Sequence, residues 1–77
     1  MAIEDAVIQA VAKKFEKDES EVTRETALKE LGGDDLDRME LIQAMEEQFN
    51  ISIPQEAADN LQTVGDLIEA VERLTGG

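Results

Sequence analysis

Apolar residues return at every third or fourth position in three separate runs of this chain and alternate almost nowhere, so the backbone is constrained to helices with one buried face each. Ile3, Ala6, Val7, Ala10, Val11 and Phe15 mark the first stripe and predict a helix from about residue 2 to 16. Leu36, Met39, Leu41, Ile42, Met45 and Phe49 mark the second, and Val64, Leu67, Ile68, Val71 and Leu74 the last. Asp34 or Asp35 can cap the second helix by accepting backbone N–H bonds, while Asp37 and Glu40 add negative charge near its positive dipole end. Asn50 tolerates the left-handed geometry that stops a helix. Thr63 is the expected cap of the last helix, which should fray at Gly76-Gly77.

The segments between these stripes are less regular. Glu16 to Glu21 is polar, and Val22, alone among charges, is expected to turn inward and pin a long first connection to the bundle. Thr23, Thr26, Ala27, Leu28 and Leu31 continue that loop with a short helical turn, until Gly32-Gly33 permits a reversal that side chains would forbid. Ile51 and Ile53 alternate around Ser52, but one such pair cannot build a sheet, so the stretch reads as a buried linker. Pro54 then opens a short third helix through Ala57, Ala58 and Leu61. The expected fold is all-α: a single-domain four-helix bundle over residues 1–77, with three longer helices, one short helix and a long first loop.

Composition removes most chemistry. The chain has no Cys, His, Trp or Tyr, which excludes disulfide frameworks, thiol nucleophiles, zinc clusters and imidazole acid–base catalysis. Paired carboxylates can hydrolyse glycosides, but only in deep clefts that 77 residues could hardly form. Asp35, Asp37 and Glu46 fall at the first, third and twelfth places of a calcium loop, yet Glu40 stands where the loop needs glycine, within a continuous helical pattern. No signal sequence or membrane-length apolar run is visible, so the chain is expected to be cytoplasmic or else already processed; a monomer is expected. Nineteen acids against seven bases give a net charge of −12, which repels nucleic acid and anionic lipid and attracts proteins bearing Lys/Arg patches in a salt-dependent way. A non-catalytic binding module is the function class left.

Residues 31–41 read Leu-Gly-Gly-Asp-Asp-Leu-Asp-Arg-Met-Glu-Leu. With Val22-Thr23, Glu46-Glu47-x-Phe49, Ile53-Pro54 and Thr63-Val64, this segment resembles the acyl carrier protein family of phosphopantetheine carrier domains. The family signature is Leu-Gly-x-Asp-Ser-Leu-Asp followed by Glu-Leu, and the likeness runs through nearly the whole chain. It implies that the serine position carries phosphopantetheine as an ester. Asp35 stands at that position here. A carboxylate could at best form a mixed anhydride with the prosthetic phosphate, which would hydrolyse, and Ser20 and Ser52 lie outside the signature. No cofactor is therefore expected on the chain as it stands; phosphopantetheine would require serine at position 35. Three readings of Asp35 stay open: a helix cap worth about 1 kcal/mol over alanine, an engineered Ser-to-Asp replacement, or a natural paralogue that lost its cargo.

The resemblance also implies that the second helix, Leu36 to Asn50, is a docking surface for ketosynthases, acyltransferases, phosphopantetheinyl transferase or related enzymes. Asp34, Asp37, Glu40 and Glu47 would be its electrostatic contacts, and Leu36 and Met39 its apolar anchors. From pattern alone, charge on an exposed helix face is equally consistent with simple solvation. Arg38 departs from the small or neutral residue usual in the family. It would either reject some partners or pair with Asp34 or Asp35 one turn back, and the local pair, worth about 0.3–0.5 kcal/mol, is the favoured reading. Positions matching the family's acyl pocket are Leu28, Met45, Ile53, Ala58, Leu61 and Leu67, the last replacing a small residue and narrowing the space. By composition alone all six are ordinary core. The rival function is an acidic regulatory or DNA-mimic protein with no acyl role, its negative helix imitating a phosphate row.

Overall fold

The computed structural model describes residues 3–31 and 34–76. The described residues form four α-helices: α1 Ile3–Phe15, α2 Asp35–Phe49, α3 Gln55–Asp59 and α4 Val64–Thr75. Two single 3₁₀ turns, Glu19–Glu21 and Leu28–Leu31, stiffen the long connection between α1 and α2. The expected bundle with one short helix is present. The predicted glycine reversal at Gly32-Gly33, the first helix's start at residue 2, and Gly77 lie outside the described residues.

Helix ends follow local chemistry. At the start of α2 the Asp37 backbone N–H donates to the Asp34 carboxylate at 3.0 Å, and the Asp37 carboxylate reaches back towards the Asp34 N–H at 3.4 Å. At α4 the Asp66 N–H donates to Thr63 Oγ1 at 3.1 Å while the Asp66 carboxylate accepts from the Thr63 N–H at 3.2 Å. α1 and α2 close with left-handed residues, Glu16 at φ 57° and Asn50 at φ 55°. The following N–H groups, of Lys17 and Ile51, return to Ala12 O at 2.8 Å and Glu46 O at 3.0 Å. These are Schellman closures. Asn50 suits that geometry, whereas Glu16 adopts it against a Cβ penalty of roughly 1 kcal/mol. Two sequence expectations need correction. Gly76 does not fray: at φ 80° it caps α4, donating its N–H to Arg73 O and Glu72 O. Pro54 precedes α3 rather than opening it, and the helix ends at Asp59, short of Leu61.

The core is the junction of the three predicted stripes. Val7 and Val11 of α1 meet Val64, Leu67, Ile68 and Val71 of α4, with Leu41 and Met45 of α2 completing the centre. Val22 turns inward as expected and is 3% exposed. Ile53 is buried and Ile51 half-buried, as a linker pinned to the core requires.

The long loop is hydrogen-bonded to the start of α4 through main chain. A helix begins with N–H groups that have no partner within it. Here the Val64 N–H donates to Thr26 O at 2.9 Å and the Gly65 N–H to Arg24 O at 2.8 Å, while the Leu28 N–H donates to Gln62 O at 2.9 Å. The approach is so close that a Cβ on Gly65 would lie 2.9 Å from Arg24 O. This strap brings residues 24–28 against the connection from α3 to α4 and so forms one wall beside the start of α2.

Candidate functional site

Asp34 makes the capping contact of α2, so Asp35 is the first helical residue and not the cap. The cap explanation of Asp35 is thereby corrected. Its carboxylate is favoured only by standing at the positive end of the helix dipole, and its side chain is exposed. The Asp34 carboxylate is held below its ordinary value, first by the hydrogen bond from the Asp37 backbone N–H, against a smaller opposing effect of desolvation.

Two clefts flank this point, and Asp35 and Arg38 line both. One, of about 460 Å³, runs under the long loop between Phe15, Leu28, Leu41 and Leu61. The other, of about 410 Å³, lies between α2 and α3 against Met39, Ile42, Ile53 and Ala58. Arg38 stands between them. Its Nη2 donates to Ala58 O at 2.7 Å and to Leu61 O at 2.6 Å. This overturns the expected local ion pair with Asp34 or Asp35. The carbonyls at and beyond the end of α3 present a negative dipole end that a guanidinium with five donors can satisfy, and Asp34 is already engaged by the cap. The charge of Arg38 is thus turned across the bundle instead of standing in the acidic strip.

On the outer flank of α2, Leu36 and Met39 are 61% and 59% exposed, the two most exposed large apolar side chains among the described residues. Asp34, Glu40 and Glu47 are exposed and Asp37 is half-buried. Lys14 of α1 reaches this flank. Its Nζ lies 3.7 Å from Asp37 Oδ1 and donates a hydrogen bond to Glu40 Oε1. The Glu40 bond raises the Lys14 ammonium above its usual value of 10.5 against desolvation, with the charges of Glu40 and Asp37 adding to it. Glu46 belongs to a different task, because its carboxylate accepts from the Ile53 N–H at 2.8 Å and fastens the linker.

The six positions assigned to an acyl pocket do not share one space. Leu28 and Leu61 wall the first cleft, Ile53 and Ala58 the second. Met45 and Leu67 are fully buried in the core and border neither. Sequence reasoning missed Lys14 altogether. It lies on the polar side of α1, and no local signal tells which helix it faces. Among the described residues, no helix is long and apolar enough to cross a membrane and no group of three or more acids is placed to hold a metal ion.

A family model described as "Phosphopantetheine attachment site" matches residues 5–71. The acyl carrier protein of Porphyromonas gingivalis is 43% identical over 72 residues, covering 92% of this chain and 92% of that protein. That of Helicobacter pylori is 41% identical over 73 residues, with 94% of each chain covered. Among solved structures, the crystal structure of an acyl carrier protein from Thermotoga maritima superposes with a TM-score of 0.79 at 29% identity, covering 94% of this chain and 85% of that one.

Proposed function

The chain belongs to the acyl carrier protein family, whose members carry rather than catalyse, and from that premise we propose that it is a docking module of fatty acid or polyketide type biosynthesis that cannot be primed at Asp35. Phosphopantetheine is the prosthetic group of the family, and its members work with biosynthetic enzymes. The group is joined through a hydroxyl, and the side chain at position 35 offers a carboxylate. The donor does not fit. Whether the aspartate was introduced or inherited, the docking face is the same.

The observation that carries this reading is the pairing on α2 of Leu36 and Met39, left in water, with Asp34, Asp37, Glu40 and Glu47 around them. Exposed apolar area rimmed by one sign of charge suits a partner with a basic, partly apolar groove. Such partners are ketosynthases, acyltransferases and phosphopantetheinyl transferases, and the compartment is the cytoplasm. The buried Met45 and Leu67 then serve as core, and the space below Asp35 holds no cargo.

Mass spectrometry tests the first half. Incubation with a phosphopantetheinyl transferase and coenzyme A is expected to leave the mass of the chain unchanged, while Asp35→Ser permits the addition. A stable adduct on the unaltered chain defeats the proposal. The docking half is tested by the affinity for a ketosynthase, expected to weaken steeply as salt rises. Binding unaffected by salt, or competition with duplex DNA for a nucleic-acid enzyme, favours the acidic-mimic alternative.

A further inference from the structure

We infer that Lys14 is an internal competitor for the docking helix: it occupies Asp37 and Glu40 in the free protein and must be displaced by an arginine-bearing partner surface. The inference rests on the docking reading of α2 given above. Its own support is the geometry of the seam between α1 and α2. The Lys14 ammonium lies 3.7 Å from Asp37 Oδ1 and donates to Glu40. The side chains of Asp37 and Glu40 are nevertheless 42% and 49% exposed, so each carboxylate has an open side from which another cation can approach. Of the four carboxylates assigned to docking, Asp37 and Glu40 are therefore already paired with a cation of the chain, while Asp34 is engaged by the cap.

The chemistry favours one kind of replacement. An ammonium is a compact, strongly hydrated point charge, so leaving the pair returns it to water at little penalty. A guanidinium is a planar fork that can bind a carboxylate through two parallel hydrogen bonds and is less strongly hydrated. An arginine on the partner thus gains more from Asp37 and Glu40 than Lys14 loses, whereas a lysine exchanges like for like. Lys14 filters partners by the identity of their cations. Removing it should strengthen binding by the worth of an exposed pair, about two- to five-fold.

The test compares the unaltered chain with Lys14→Met, Lys14→Arg and Lys13→Met in calorimetric titrations against a phosphopantetheinyl transferase at low and moderate salt. Lys13 is exposed on the same turn, and its ammonium meets no carboxylate among the described residues, so Lys13→Met makes the same change in net charge. Lys14→Met is expected to bind about two- to five-fold tighter than Lys13→Met, and Lys14→Arg to bind more weakly than the unaltered chain. In an Asp37→Asn, Glu40→Gln background the gain from Lys14→Met should vanish. Equal affinities for Lys14→Met and Lys13→Met, with the unaltered chain still binding in a salt-sensitive way, overturn the competitor role and leave the docking reading standing. Absence of salt-sensitive binding by all four chains overturns both.

Discussion

The first turns of α2 and α4 are built with the same reciprocal side-chain box, Asp34 with Asp37 and Thr63 with Asp66, yet among the described residues only the second is closed over by main chain from the long loop. At α4, Val64 and Gly65 are buried and their N–H groups are taken by Thr26 O and Arg24 O. At α2, Asp34, Asp35 and Leu36 face water, and beside them lie two clefts. A shared local device thus leaves opposite exposures, because the long loop returns to one helix start and not to the other. Backbone hydrogen bonds from the loop are concentrated at the start of α4, and the start of α2 is left open to water.

The sharpest way to break this contrast is Gly65→Ala. At an open helical position the change would stabilise by about 1 kcal/mol. Here the new Cβ would meet Arg24 O at 2.9 Å, and we expect a loss of about 2 kcal/mol in urea unfolding. A gain would show that the strap yields. Arg38→Met comes next: losing the bonds to Ala58 O and Leu61 O should cost about 1–2 kcal/mol and speed hydrogen exchange at Asn60 and Leu61. Unchanged exchange there would mean that α3 is held by its apolar contacts alone.

The cap of α2 supplies a smaller, pH-dependent effect. Because the folded-state pKa of Asp34 is depressed, its contribution is fully present above the ordinary carboxylate value of 3.8 and is lost as pH falls through the lower folded value. The Asp37 amide resonance should report that loss below pH 3.8, and Asp34→Asn should flatten it. The smallest expected effect is at the exposed flank. Leu36→Ser with Met39→Ser should change stability by no more than about 0.5 kcal/mol while weakening ketosynthase binding. A large loss of stability would place these side chains in the core and remove the contrast between the two helix starts.

What could be read from the sequence divides along the same line. The caps at Asp34 and Thr63, the stop at Asn50 and the inward turn of Val22 depend on neighbours within a few residues or on an isolated apolar side chain among charges, and all are present. The contacts of Arg38 with Ala58 and Leu61, of Lys14 with Asp37 and Glu40, and of Gly65 with Arg24 join residues twenty or more positions apart. A long flexible cation carries no periodicity that names its target, so the sequence points Arg38 only to the nearest acid. Glycine within an apolar helix stripe likewise gives no sign that another backbone presses against it. The two clefts depend on both kinds of contact, which is why the six pocket positions that the resemblance groups are divided between separate walls and the core.

Since the strap at residues 24–28 hydrogen-bonds to the start of α4 through peptide groups, those bonds do not depend on side-chain identity, although Leu28 is buried in the core and Arg24 pairs with Glu4; proline at 28 would delete the Leu28 donor. Evolution can therefore change exposed Glu25 with little penalty to the fold. That position is a natural place for related carriers to diverge in what they present to their surroundings.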